Sequence, residues 1–376
     1  MLKRYSVKNY NFLLLLLVIA QTVYGIVAIG SAREAYQTKQ IEGLIIGLVG
    51  LVILSLIDYS LILNFYWVLY GGNILLLTAV IFLGSEGKGA QRWLEIGSFR
   101  FQPSELAKIL LILFFAQFIM KHREKLNTFK VLLQLFGMML IPLVLVFKQP
   151  DLSTTIMILI IFCALLFIGG LSIKLIMAVL VVFVPVAAIL LMIVIQPDQK
   201  LIKDYQQTRI MAWLQPDKYS NTEGYQQQNS MTAIGSGRLT GKGYKNNEVA
   251  SVKNGNFISE PQTDFIFAVI GEDLGFAGCV AVIFLQGCIV FQILGICRRA
   301  KDLAGRLICA GVAANIGFQS FMNIAVTTGL MPNTGIPLPF ISYGSTSMVS
   351  LCLGVGLVLN VGLQPLDPRD MRNGEW

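Results

Sequence analysis

Ten apolar runs follow one another along the chain, at 12–29, 41–57, 65–83, 103–120, 131–147, 152–168, 173–195, 265–296, 303–328 and 340–363. Each is long enough, at ~1.5 Å of rise per helical residue, to cross about 30 Å of hydrocarbon. Most polar connections between them are short; one stretch, 196–264, is long and polar. The pattern predicts an all-α polytopic membrane protein with ten transmembrane helices in a single integral membrane domain, 1–376. A long extracytoplasmic loop, 196–264, joins spans seven and eight. The first run resembles a signal peptide, with Lys3, Arg4 and Lys8 ahead of a leucine run. Nine more runs follow, so an uncleaved first helix is expected. The eighth run is too long: its 32 residues would make about 48 Å of helix. It must tilt strongly, or bend at Gly275 or Gly278 so that its first turns stand above the hydrocarbon.

Composition agrees with this reading. Of 376 residues, 55% are hydrophobic and only 13% charged, which no soluble domain of this size matches. The net charge of +8 is distributed as an orientation signal rather than as a nucleic-acid surface. Short segments on the face carrying both termini hold 14 lysines and arginines; the short loops opposite hold 6. The termini are therefore expected in the cytoplasm, and the long loop outside. The single histidine, His122, then lies on the inner side, which excludes histidine chemistry at the outer face. Cys163, Cys279, Cys288, Cys297, Cys309 and Cys352 all sit in or at the end of apolar runs without metal-type spacing and read as small hydrophobes.

The long loop has internal order. Asp204–Leu214 begins polar and ends with Ile210, Met211, Trp213 and Leu214, which predicts a short helix on the membrane surface. Residues 235–243 read G-S-G-R-L-T-G-K-G. Four glycines with Arg238 and Lys242 let backbone amides approach an anion, although such glycines more often mark a flexible turn. The spacing is not that of a nucleotide-binding P-loop.

The chemistry-bearing groups gather on the outer side. At the mouth of span eight stand Glu260 and Asp264, with Glu272 and Asp273 deeper; an acid there is costly unless it is used or paired. Ahead of span four, Arg92 and Trp93 lie in a polar loop. Pro103 opens that span, Glu105 suits its first turn, and Lys108 shares a helical face with Glu105. Lys108 either forms a phosphate site below the helix start or pairs with Glu105 to hold the helix; the two readings are compatible. Asp151 fits an N-cap of span six. The segment 331–347 carries three prolines and two glycines amid apolar surroundings, so it is expected to line a cavity.

At these residues the chain resembles a known family. G-A-Q-R-W-L (89–94), Q-P-S-E-L-A-K (102–108), Q-P-D-L-S-T (149–154), A-I-G-S-G-R-L-T-G-K-G (233–243), E-P-Q-T-D-F-I-F-A-V-I-G-E-D-L-G-F-A-G (260–278) and T-G-I-P-L-P-F-I-S-Y-G (334–344) are similar to blocks of the shape, elongation, division and sporulation (SEDS) family, in its order. The G-A-Q-R-W block and the glycine-rich stretch look more like the RodA (elongation) branch than the division branch. The resemblance implies a peptidoglycan glycosyltransferase polymerising lipid II outside the cytoplasmic membrane, for elongation and shape. It also implies a class B penicillin-binding protein as transpeptidase partner. Asp264 matches the family's essential acid, and Arg92, Glu105 and Lys108 match its R-W and Q-P-S-E-x-x-K positions. Departures are Gln262 where many members have His, Ser259 where many have Pro, Arg238 for Gly, and Ser345 in a G-G-S run.

Polymerisation needs a base for the attacking hydroxyl, positive charge at the departing pyrophosphate, and a greasy groove for the lipid tails. Asp264 is the candidate base. Arg92, Trp93, Glu105, Lys108, Arg209, Lys242 and Glu260 are candidate substrate-binding residues, the cations facing pyrophosphate. The leaving group is served either by these cations alone or by a divalent ion, Mg or Mn, bridging Asp264 and phosphate. A lipid II flippase, a non-catalytic scaffold and a division- or sporulation-branch polymerase are the competing expectations.

Overall fold

The computed structural model describes residues 9–364, apart from 88–89, 97–98, 178–180, 182–184, 186–191, 197–198, 200–201, 203, 217, 220–223, 246–250 and 252–256. Lys3, Arg4, Lys8, Lys88, Arg369, Arg372 and most of the predicted seventh span, 173–195, lie outside the described residues.

Nine of the ten predicted spans correspond to described helices: α1 (Phe12–Ala32), α2 (Gln37–Leu56), α4 (Tyr66–Leu83), α5 (Pro103–Lys121), α6 (Phe129–Lys148), α7 (Leu152–Ile168), α10 (Ile266–Arg299), α11 (Leu303–Thr327) and α12 (Ser345–Gly362). Eight of these are long and apolar enough to cross a membrane; α7, at 17 residues, is the short one. Local sequence sets several ends. Asn11 caps α1 by accepting from the Leu14 amide at 2.9 Å. Pro103 occupies the first turn of α5, where its missing N–H costs nothing. Asp151 caps α7, accepting from the Thr154 amide at 3.1 Å and its hydroxyl at 2.9 Å.

The bundle is layered from inside out. The apolar stretch of α5 is 83% buried and those of α11 and α12 are 72% buried, against 22% for α4. So α5, α11 and α12 form the centre, while α4 and α6 present most of their side chains outward. Around that centre α2 lies along α12, α10 packs on α11 and α1, and α7 fits between α5 and α11. Close approach depends on missing side chains where α1 meets the segment before α12: a Cβ on Gly25 would stand 2.5 Å from the Ile341 Cα.

Three features were not predicted. The loop after α4 is a small antiparallel meander, β1 (Ser85–Gly87), β2 (Ala90–Ile96) and β3 (Phe99–Phe101). Glu95 pairs with Arg100 across β2 and β3, with side chains 2.9 Å apart. Two short helices, α3 (Tyr59–Asn64) and α9 (Tyr225–Ser236), were also unread. The loop helix α8 (Asp204–Leu214) has the predicted bounds. It lies against protein, with Trp213 Nε1 donating to the Gly329 carbonyl at 3.1 Å. Lastly, α10 breaks at Gly275, whose φ of 65° and ψ of −159° are non-helical. That is one of the two predicted bend points. The nine residues ahead of the break make a separate half-helix, 266–274, almost wholly buried.

Candidate functional site

Asp264 stands just before this half-helix, in a turn held from two sides, by segment 331–344 and by α11. The Gln262 carbonyl accepts from the Tyr343 amide at 2.8 Å, and the Thr263 carbonyl from Ser342 Oγ at 2.6 Å. Its own carbonyl accepts from Asn323 Nδ2 at 2.8 Å. The irregular segment 331–344 therefore packs against the acid. A Cβ on Gly335, whose φ is 69°, would lie 3.4 Å from Asp264 Oδ2. The carboxylate thus faces a backbone kept bare by glycine. The same segment holds Phe340 at φ 63°, a left-handed backbone that costs a bulky residue about 1–3 kcal/mol and collects at functional sites.

Lys108 and Glu105 form a buried pair. Lys108, 2% exposed, reaches Glu105 Oε1 at 3.0 Å and Gln319 Oε1 at 2.9 Å. In this arrangement the ammonium serves its neighbours, as the helix-holding reading of the pair expects. Gln319 then extends the chain, donating to the Pro337 carbonyl at 2.9 Å. Asn323, one turn further along α11, donates to the Ile336 carbonyl at 2.7 Å as well as to Asp264. Residues i and i+4 share a helical face. Lys108 and Asp264 are therefore tied to the same face of α11, with attachment points about 6 Å apart along its axis. Asn315, Gln319, Asn323 and Thr327 recur every four residues in an apolar helix. That polar stripe was the readable signal for Gln319 and Asn323, and the sequence reasoning passed over it.

Arg92 joins the site through backbone. Its guanidinium donates to the Gln149 carbonyl at 3.3 Å and closely to that of Pro150. Gln102 Nε2 reaches Asp151 Oδ2 at 3.4 Å, and Ser153 Oγ bonds the Thr334 carbonyl. Thus β2, the starts of α5 and α7 and the segment 331–344 converge. Trp93 sits on β2, its carbonyl accepting from Ser85 Oγ at 3.4 Å. Glu260 accepts from the hydroxyl of Thr263 at 3.3 Å and so braces the Asp264 turn. Arg209 lies one turn before Trp213 on α8.

Lys242 is placed elsewhere. Its ammonium pairs with Glu272 at 3.0 Å, about two turns along α10 from Asp264. The amides of Lys242 and Gly243 donate to the carbonyls of Glu272 and Asp273. The glycine-rich stretch therefore spends these amides on protein rather than on an anion. The cause is the break at Gly275, which leaves carbonyls needing donors.

Several buried oxygens in this network have no hydrogen-bond partner among the described residues: Glu105 Oε2, Gln262 Oε1, Asn323 Oδ1 and Thr334 Oγ1. Each costs about 1–3 kcal/mol unless water or a ligand donates to it. A polyhydroxylated ligand is rich in such donors. No group of three or more His, Cys, Asp or Glu side chains that could hold a metal occurs among the described residues. An apolar hollow of about 10 Å³, room for roughly one water, adjoins Lys108 and is lined by Leu111, Phe115, Met139 and Ile158 among others.

Fold and site together define a class: a helical multi-span membrane protein with an acid-centred polar site at one end of its bundle. The family model FtsW/RodA/SpoVE, described as cell cycle protein, matches residues 4–365, and the chain belongs to that family. It is 35% identical over 357 residues to the peptidoglycan glycosyltransferase MrdB of Escherichia coli K12, covering 93% of this chain and 92% of that protein. It is 31% identical to the probable peptidoglycan glycosyltransferase FtsW of Geobacter metallireducens, covering 95% of each. Among solved structures, it is similar to the Thermus thermophilus rod shape determining protein RodA, with a TM-score of 0.70, 27% identity and coverage of 94% and 96%. A chain from a study of polymerization and crosslinking by a peptidoglycan synthase complex is similar at TM-score 0.78 and 28% identity, with coverage of 94% and 97%.

Proposed function

We propose that this protein is a peptidoglycan glycosyltransferase that polymerises lipid II at the outer face of a bacterial cytoplasmic membrane, in the elongation branch of its family. The family membership and the similarity to MrdB and RodA support the activity and the branch. The observation that carries the chemistry is the juxtaposition of Asp264 with the Glu105–Lys108–Gln319 network on one face of α11. The excess of lysine and arginine on the face carrying the termini supports cytoplasmic ends and an outward-facing Asp264. The similarity to a synthase-complex chain supports a class B penicillin-binding protein as partner.

In the proposed reaction a sugar hydroxyl of one lipid II attacks the anomeric carbon of another. The new C–O bond forms as the bond to pyrophosphate breaks. The hydroxyl proton passes to the Asp264 carboxylate, and the bonding pair leaves with the pyrophosphate. The Gln262, Thr263 and Asp264 carbonyls are all bonded to neighbouring groups, so the acid is held before substrate arrives, which is what a positioned base requires. The unpartnered oxygens of Glu105, Asn323 and Thr334 suit saccharide hydroxyls. Arg92, on β2 beside the start of α7, and Arg209, on α8, are the cations proposed to face pyrophosphate. Asp264 is the residue that would hold a divalent cation, which would supply Lewis-acid charge for the leaving group; chelation by EDTA and re-addition of Mg or Mn tests that part.

The decisive experiment is Asp264→Asn in purified full-length protein fed lipid II. Loss of the general base removes about 10²–10⁴-fold of rate. Undiminished glycan polymer from that variant would end the assignment. Movement of lipid II across sealed vesicles without polymer would favour a flippase instead.

A further inference from the structure

The break in α10 is closed by a plug. The turn 237–243 lies across Gly275 and serves both broken ends. Its Lys242 and Gly243 amides donate to the Glu272 and Asp273 carbonyls at 2.9 and 3.0 Å. Its Arg238 and Leu239 carbonyls accept from the Phe276 and Ala277 amides at 2.8 and 3.1 Å. The fit is backbone against backbone. A Cβ on Gly237 would stand 1.9 Å from the Gly271 oxygen, one on Gly241 2.2 Å from the Asp273 oxygen, and one on Gly275 2.4 Å from the Gly241 nitrogen.

On top of this plug sits an ion pair that the break itself does not need. Lys242 Nζ meets Glu272 Oε1 at 3.0 Å, and Ser251 Oγ donates to Glu272 Oε2 at 3.1 Å. The Glu272 side chain is 2% exposed. Taking such a charge out of water costs several kcal/mol, and an apolar residue would be cheaper. The half-helix 266–274 is buried and only nine residues long. Its start is fixed to the segment 331–344 through Thr263 and Gln262; its end is fixed by Glu272. Glu272 lies eight residues beyond Asp264, about 12 Å of helix.

We propose that Lys242 is a positioning residue: through its pair with Glu272 it locks the half-helix 266–274 against the plug and so sets where Asp264 stands relative to the sugar hydroxyl. This rests on the assignment of Asp264 as the reacting acid. A displacement of about 1 Å at a reacting group costs up to about 100-fold in rate. The glycine-rich motif then belongs to the reaction without touching substrate.

The test uses purified full-length protein and lipid II, with amide hydrogen exchange over 266–274 read in parallel. Lys242→Met is expected to lower kcat by about 10–100-fold, leave KM within about twofold, and speed exchange in 266–274 alone. Lys242→Arg, which keeps the charge, should retain kcat within about threefold and exchange as the parent does. If Lys242→Met fails to fold, Glu272→Gln, which keeps the shape of the buried group, should show the same loss of kcat. Unchanged kcat with loosened 266–274 would overturn the proposal, since placement would then not matter. Raised KM with unchanged kcat would also overturn it, because the ammonium would then be touching substrate. Failure of the Asp264 assignment shows separately, as polymer made by Asp264→Asn.

Discussion

At the scale of single residues, the buried Lys108–Glu105 pair shows what the spacing could and could not convey. Three residues apart in a helix opened by Pro103, the two charges had to share a face, and they do. What spacing could not reveal is Gln319, 211 positions away, which takes a second ammonium proton. Removing one partner of a buried pair strands the other charge, at a cost of about 3–5 kcal/mol. Lys108→Met should therefore lower the thermal unfolding temperature of detergent-solubilised protein sharply. Adding Glu105→Gln to it should recover part of the loss, because no unpaired carboxylate then remains. An additive double variant would show that the two charges do not depend on each other. Asp264 was legible for a different reason: an acid where a polar loop enters a long apolar run has few innocent uses. The direction its carboxylate takes, toward Gly335, was not legible, because segment 331–344 lies about seventy residues downstream and has no periodicity to read.

At the scale of elements, the helices were nearly all readable because apolar length alone specifies a span. The meander β1–β3 and helix α9 were not. The strands are short, with a register irregularity between Ser85 and Glu86, and α9 opens Y-Q-Q-Q-N-S, where polar residues hide its face. It is held instead by Gln227, donating to the Val326 and Met331 carbonyls at 2.8 and 2.7 Å, and by Ser230 on the Thr327 carbonyl at 2.9 Å. The break in α10 was readable as a length problem but its plug was not. The glycines of 235–243 read as a flexible turn or an anion cradle because the partner that uses their amides is backbone. Two glycine substitutions separate fit from propensity. Gly237→Ala puts a Cβ 1.9 Å from the Gly271 oxygen and should prevent the plug from closing, seen as loss of monodisperse protein or a large fall in unfolding temperature. Gly71→Ala on α4, with nothing within 4 Å, should be neutral or stabilise by up to about 1 kcal/mol. Equal effects of the two would mean that the contact at Gly271 carries no weight.

At the scale of the whole molecule, the site is built from parts far apart in sequence at one end of the bundle, and a second polar assembly closes the other end. There the turn between α2 and α3, the turn between α10 and α11 and the end of α12 meet. Gln364 Nε2 donates to Asp58 Oδ1 at 3.2 Å, Lys301 Nζ reaches Ser60 Oγ at 3.2 Å, and Asn360 bonds the Tyr59 amide at 2.9 Å and the Ser55 carbonyl at 2.9 Å. Lys301 also stands 4.7 Å from the centre of the Tyr59 ring. Burial alone would raise the Asp58 carboxyl, but the Ser60 amide and hydroxyl, the Gln364 amide and the Lys301 charge outweigh it and hold it below its ordinary value of 3.8. A carboxyl lowered by folding binds its proton more weakly in the native state than in the unfolded one. Its contribution is therefore full above the ordinary carboxylate range and is lost as pH falls through 3.8 toward the lower native value. Asp58→Asn removes that contribution while keeping an acceptor for the Ser60 amide. The unfolding temperature of the parent should exceed that of Asp58→Asn near neutral pH by about 1–3 °C. The gap should close as the pH is brought below the ordinary carboxylate range. A gap that stayed constant down to pH 3 would mean that Asp58 supports this end of the bundle by shape alone and that its charge does nothing there.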